Sequence, residues 1–355
     1  MPGRRSPLAI LVLAPLVAAA LTACGSSGSS AKAGAADGAG TPASELRLGY
    51  FGNITHAPAL VGVEKGFFAQ QLGNTKFSTQ VFNAGPAEVE ALFGGSIDAG
   101  FIGPSPAINA FVQSHGDFVI VSGAASGGAA LVVNPSITSP DQLKGKTIAT
   151  PQLGNTQDVA LRAYLASKGY KVSTTGGDVN VTPQDNATTV TAFKAGKVDG
   201  AWVPEPFASR LILEGGGHEL VNESSLWPGG RFTTTVLVAK KSYVKEHPQT
   251  IKALLAGELQ AIDYIGASKT DAEAAVNAQL MTLTGKPLAQ NVIDRAFGQI
   301  TATADPIASS LKTEQDHAVA AGTTKAADLK GIFDLAILNS LLTAGGKQPV
   351  DSAGL

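Results

Sequence analysis

Two short loops carry side chains of the kind that hold a small polar solute. Gly52-Asn53-Ile54-Thr55-His56 and Gly154-Asn155-Thr156 each follow a strand-like stretch and lead into a helical one. Such a position sits beside free backbone N–H groups and the positive end of a helix dipole, and so can hold an anion. Asn155 and Thr156 can equally cap a helix, and the two uses are compatible. Ser105 in "GPSPAINAF", Ser126 and Gly127 in "GAASGG" (123–128) and Gln152 ahead of Asn155 are candidates of the same sort. His56 is the one histidine of five in such a loop; alone, it is either a site donor or an ordinary packed residue. Trp202 and Glu205, in "GAWVPEP", and Arg231, in "PGGRF", complete the set. Trp202 is either core or a solute contact. Arg231 is either the fork that grips an oxyanion or an ion-pair partner at a hinge. Glu205 would repel a bare anion. It is neutralised by Arg231 or His56, lies outside the pocket, or pairs with an amino group of the solute. A ring cation would find Trp202 or Trp227 to stack on.

Catalytic signatures are missing from the sequence. There is no CxxC, HExxH or GxSxG, and "LKGKT" lacks the first glycine of a phosphate-binding loop because position 140 is Pro140. Asp98 and Asp199 look like paired carboxylates, but they fall at equivalent places in two separate halves and read as structural. No catalytic residue, metal site or cofactor is expected.

The only cysteine, Cys24, cannot serve as a disulfide partner within the chain. Arg4 and Arg5 precede an apolar run, Leu8 to Leu21, too short for a spanning helix of ~20 residues. With small Thr22 and Ala23 before Cys24, residues 1–23 read as a secretory signal peptide. "LTAC" resembles the lipobox of bacterial lipoproteins, which implies lipidation of Cys24 and a chain anchored on the outer face of the bacterial cytoplasmic membrane. The alternative is an ordinary secretion signal with an incidental cysteine. Residues 24–44, mostly Gly, Ser, Ala and Thr, form no apolar face and read as a flexible tether.

About 310 residues remain, enough for two domains. Apolar content of 44 % against 15 % charged residues suits a compact body. The net charge is −2, and without Arg4 and Arg5 it becomes 24 − 28 = −4, which argues against a nucleic-acid surface.

The elements that must position the candidate residues occur twice. "LRLGY" and "KTIAT" read as strands leading into the two Gly-Asn loops and then helices. "ALFGGSIDAGFIGPSP" is echoed by "AFKAGKVDGAWVPEP" at an offset of 101, matching Asp98 with Asp199, Phe101 with Trp202 and Pro104 with Glu205. Strands alternating with helices imply mostly parallel sheets covered on both faces. Ligands then bind beyond the carboxyl ends of the strands, where all four loops lie. The expected fold is α/β and two-lobed: a large lobe over 45–133 and 232–355, a small lobe over 134–231, and a hinge at the strands "AALVVNP" and "TTTVLVAKK". Hinge closure on a ligand belongs to that design. The helices after Lys241 read as packing on the large lobe.

These stretches resemble the ABC-transporter solute-binding proteins of the nitrate, sulfonate and taurine group. "GYFGNITHAPALVGVEKGFF", "FNAGPAEVEALFGGSIDAGFIGPSPAINAF", "LKGKTIATPQLGNTQDVALR" and "GAWVPEPFASRLI" carry the resemblance. It implies a type II periplasmic-binding-protein fold, a small anionic or zwitterionic solute in the cleft, and delivery to permease subunits. Members of the group also carry bicarbonate or a pyrimidine precursor of thiamine, so a heterocycle is the alternative solute. An enzyme on the same bilobed fold is a further alternative, and so is a lipoprotein that binds only another protein.

Overall fold

The computed structural model describes residues 40–355; Cys24, the expected signal peptide and the tether up to residue 39 lie outside the described residues. In chain order the strands are β1 (Glu45–Phe51), β2 (Lys76–Phe82), β3 (Ala99–Ile102), β4 (Phe118–Gly127), β5 (Ala129–Val133), β6 (Thr147–Thr150), β7 (Val172–Ser173), β8 (Gly176–Gly177), β9 (Asn180–Pro183), β10 (Gly200–Pro204), β11 (His218–Asn222), β12 (Thr233–Lys240) and β13 (Ile300–Ala302). They form a six-stranded sheet ordered β13-β4-β12-β3-β1-β2, a five-stranded sheet ordered β11-β5-β10-β6-β9, and a β7-β8 ribbon.

Each large sheet contains a parallel triad. β1 runs parallel to β2 and β3, and β6 runs parallel to β9 and β10. Beside each triad lies an antiparallel strand, β12 against β3 and β5 against β10. The apolar runs at their centres, such as Phe101-Ile102 and Trp202-Val203, are buried on both faces, as parallel strands covered by helices require. The larger sheet packs apolar clusters on both sides, one built with the helices Pro248–Ala267 and Lys269–Thr284, the other with Pro104–Gln113. The smaller sheet does the same with Thr156–Ser167 on one face and Asn186–Lys194 on the other.

Asp98 and Asp199 hold equivalent strand starts. Asp98 accepts the backbone N–H of Arg47 at 2.9 Å as well as its guanidinium, and Asp199 accepts the N–H of Thr147 at 2.9 Å. Both carboxylates are therefore structural.

The chain passes between sheets at places slightly different from those expected. β5, expected to close the large lobe at 133, pairs with β10 and β11 inside the smaller sheet. The crossing falls at Gly127-Gly128, where φ is 78° and 75°. Two successive left-handed residues suit glycine alone, so the turn is written in "SGG" and not in the apolar strand after it. The return runs through 223–232, before β12 rejoins the larger sheet between β3 and β4. The fold is held slightly earlier than Glu45, because the N–H of Ala43 donates to Thr250 Oγ1 at 2.8 Å and its carbonyl accepts Thr75 Oγ1 at 2.8 Å.

Candidate functional site

The carboxyl ends of the two parallel triads face each other across a small cavity of about 10 Å³, roughly the space of one water. Asn53, Thr55 and His56 after β1, Asn83 after β2 and Gly103 after β3 line it from the larger sheet, with Thr234 of β12. Asn155, Thr156 and Gln157 after β6, Asn186 after β9 and Pro204 of β10 line it from the smaller sheet. The two sides touch. Asn155 Oδ1 accepts the N–H of Gly85 at 3.0 Å, and a Cβ on Gly103 would collide with Thr156 Oγ1. Position 103 is therefore bare so that the lobes can approach.

Four helices begin at this cavity without a side-chain cap: Ala57–Glu64, Gly85–Phe93, Pro104–Gln113 and Thr156–Ser167. Their first-turn N–H groups and dipole ends make the local field positive without any ionised side chain. Asn155 is an N-cap residue by position only; its amide bonds Gln157 Oε1 at 2.8 Å and Gly85, which leaves the helix start free. Thr156 Oγ1 and Asn186 Oδ1 are buried without a hydrogen-bond partner. Buried polar atoms are almost always paired, so these mark places where a solute can bond.

His56 is 2 % exposed, and burial lowers its imidazole to about 3, so the ring is neutral in ordinary conditions. Its Nδ1 accepts the N–H of Phe51 at 3.3 Å, which leaves Nε2 as the protonated, donating nitrogen. The Phe51 ring lies 4.3 Å from it. The lining carries no charged side chain. The arrangement can orient and desolvate a small oxyanion among neutral donors. It offers no nucleophile paired with a base.

Of the residues singled out by sequence, Asn53, His56, Asn155 and Thr156 line this cavity, and the others do not. Trp202 is fully buried in the core of the smaller sheet, its indole N–H donating to Glu223 Oε2 at 2.7 Å and its ring 5.4 Å from Tyr164. An inward-facing position on a central strand is a packing position, and neither tryptophan lines the cavity. Glu205 is 1 % exposed but turned away from it. Its carboxylate accepts Arg295 Nη1 at 3.1 Å and the N–H of Ser209 at 3.0 Å. Burial raises its carboxyl above the usual value, against the lowering by Ser209 and Arg295. Its partner is thus neither Arg231 nor His56 but a residue from the distant helix Gln290–Phe297, which local spacing does not reveal. Arg231 is exposed and pairs with Asp305 at 2.8 Å. Ser105 donates to Glu314 at 3.4 Å. Ser126 and Gly127 sit at the crossover, and Ser126 Oγ accepts the N–H of Phe232 at 3.4 Å. Gln152 lies in the loop before Asn155 without reaching the cavity.

Sequence reading missed Thr55, Asn83, Gln157, Asn186 and Thr234. The repeat contained a signal for part of this set. At the offset of 102 that relates Asn53 to Asn155, Thr55 falls on Gln157, and at 101 Gly103 falls on Pro204; all line the cavity.

The taurine-binding periplasmic protein of Escherichia coli K12 is 30 % identical over 205 residues, 58 % of this chain and 62 % of that protein. The match thus spans under two thirds of that relative's length. The alkanesulfonate-binding protein SsuA of Xanthomonas axonopodis pv. citri, bound to MOPS, superposes with a TM-score of 0.68 at 23 % identity, over 81 % of this chain and 96 % of that one. The periplasmic nitrate-binding protein NrtA of Synechocystis PCC 6803 gives 0.72 at 16 % identity, over 85 % and 89 %. These two share the fold: a two-lobed, type II periplasmic-binding-protein architecture. The profile of the NMT1-like family matches residues 39–281, more than half of the 355 residues, and this chain belongs to that family.

Proposed function

We propose that this chain is the extracytoplasmic solute-binding component of an ABC importer, which closes over a small oxyanion of the sulfonate or nitrate type and delivers it to the permease. One observation carries this reading: a cavity between two matched parallel triads, ringed by uncapped helix starts and neutral donors, with two buried polar atoms unpaired. The relatives above bind taurine, an alkanesulfonate and nitrate, all of which carry an oxyanion. A neutral cage favours such a group through backbone dipoles and gives up its hold when the lobes part, as a carrier requires. The lobes stand too close here for any solute larger than a water, so capture needs them to open about Gly127-Gly128 and residues 223–232. On this reading the lobes divide near 45–128 with 232–355 and near 129–222, and the chain performs no catalysis. Lipidation of Cys24 after removal of residues 1–23 would hold it at the membrane.

Isothermal titration with nitrate, taurine, methanesulfonate and bicarbonate tests the solute. A true ligand at a hundred times its Kd adds ~2.7 kcal/mol to the unfolding free energy. If none binds or raises the melting temperature, the oxyanion reading fails. For the anchor, Cys24→Ala should release the protein from the membrane fraction into the medium; retention would refute lipidation at that site.

A further inference from the structure

A second cavity, of about 420 Å³, lies on the seam between the lobes and shares no lining residue with the first. Its size is that of ordinary small-molecule sites, ~300–1,000 Å³. Ala163 and Tyr164 of the helix Thr156–Ser167 form one wall, Thr313 and His317 of the helix Ala308–Ala320 another, and Glu223 and Trp227 of the crossover segment a third. The rings are fixed by packing. Trp227 stacks on Phe232 at 5.4 Å and 6°, with His317 at 5.8 Å, and Tyr164 rests on Trp202.

Glu223 is the one acid in this lining and is 1 % exposed. Behind it stands Glu314, 2 % exposed, whose Oε1 has no hydrogen-bond partner and whose charge would repel that of Glu223. None of the ion pairs among the described residues includes either acid. Two buried carboxyl groups with no counter-cation are costly. Burial accordingly raises Glu223 to about 7. Aromatic faces attract a cation, most strongly where water is excluded. A hard metal ion would need several carboxylate or carbonyl ligands, and Glu223 is the one carboxylate in these walls.

We propose that this cavity binds a small organic ammonium ion, its charged nitrogen set against the ring of Trp227 and beside the Glu223 carboxylate, while the Tyr164 ring, which already carries the Lys168 ammonium at 5.4 Å, serves as wall. The occupant touches elements of both lobes, so it fastens the seam at a point separate from the oxyanion cavity.

Calorimetric titration of the full chain with benzyltrimethylammonium chloride tests this, with neutral 3,3-dimethylbutan-1-ol as the control. The ammonium salt binds and quenches Trp227 fluorescence, while the alcohol binds at least about tenfold more weakly. Trp227→Ala weakens the ammonium about tenfold, the loss of one desolvated cation–π contact. Glu223→Gln, which keeps an acceptor for the Trp202 indole, weakens it by a similar factor. Trp227→Phe keeps a ring on Phe232 and most of the affinity. Should Trp227→Ala fail to fold, the Glu223→Gln and Trp227→Phe results decide. Absence of ammonium binding, equal binding of the alcohol, or undiminished binding in Glu223→Gln overturns the proposal. Nitrate titrated into the same sample reports on the first cavity independently.

Discussion

The two lobes use one plan and handle charge differently. At the offset of 102 that relates their first loops, His56 of the larger lobe corresponds to Asp158 of the smaller. His56 is kept neutral by burial. Asp158 is ionic, but its charge is taken up by Arg162 one turn along the same helix, with N–O distances of 3.0 and 3.1 Å and both residues about fully buried. Thr150 Oγ1 and the N–H of Gly154 also donate to it, at 2.9 and 3.0 Å. Pro104 of the larger lobe likewise corresponds to Glu205 of the smaller, whose charge is spent on Arg295. Each lobe thus presents a neutral face to the cavity, the larger by suppressing ionisation and the smaller by pairing its acids with arginines, Asp158 within its own helix and Glu205 across to the larger lobe. Both would serve the carrier role proposed above, which requires release of the solute.

Arg162→Met tests the smaller lobe's half of that comparison most severely. It leaves Asp158 buried without its counter-charge, and breaking a buried pair from one side costs ~3–5 kcal/mol. Urea unfolding should show a loss of that size. A loss under about 1 kcal/mol would mean that Asp158 is not held as an ion.

The larger lobe's strategy predicts a pH dependence. Its helices bury Glu88, Glu258 and Glu314, all raised by burial, Glu258 to about 8 from an ordinary 4.5. Between those values the native carboxyl keeps a proton that the unfolded chain has released. The folded state then binds more protons, so stability falls as pH rises. The contribution is whole below about pH 4.5 and is lost by about pH 8, on the order of 5 kcal/mol for Glu258 alone. Glu258→Gln should match the wild type near pH 5 and exceed it at pH 8 in thermal unfolding. A wild type as stable at pH 8 as at pH 5 would break this half of the comparison.

The paired architecture was legible because it is written locally. Strand, Gly-Asn loop and helix follow one another within about fifteen residues, and the Asp98 and Asp199 echo preserves register. Donors in the first loops, Asn53, His56, Asn155 and Thr156, were legible for the same reason. What escaped depends on contacts far apart in sequence. Glu205 meets Arg295 90 positions away, and Thr234 reaches the cavity only because β12 returns beside β3. Trp202 reads from sequence as either core or a solute contact, and the phase of β10 turns it into the core. β13 escaped too, since three residues pairing with β4 leave almost no periodic signal.

The link between the lobes is the next point of attack. Arg295 binds the carboxylates of Glu205 and Glu219 at 3.1 Å each, and the backbone carbonyl of Glu205 accepts the N–H of Ile54, in the first loop of the larger lobe, at 2.9 Å. Arg295 is a quarter exposed and Glu205 can take up a proton, so Arg295→Met should cost less than the Arg162 change, about 2 kcal/mol. Small-angle scattering of the solute-free protein should show a larger radius of gyration. An unchanged radius with unchanged stability would show that this pair does not couple the lobes.

The smallest effect separates the two Gly-Asn loops themselves. Asn155 does two things: it lines the cavity and reaches across to the N–H of Gly85 at 3.0 Å, whereas among the described residues no hydrogen bond of the Asn53 side chain crosses between the lobes. On the proposed function, closure on a solute would strengthen the Asn155 contact and leave Asn53 a contributor of cavity wall alone. Asn155→Ala should weaken whichever of nitrate or taurine binds by about tenfold, the worth of one hydrogen bond near a charge, ~1.5 kcal/mol. Asn53→Ala should weaken it about threefold. Equal losses in the two titrations would mean that the loops are equivalent in use as well as in build, and that the asymmetry lies only in how each lobe disposes of its charges.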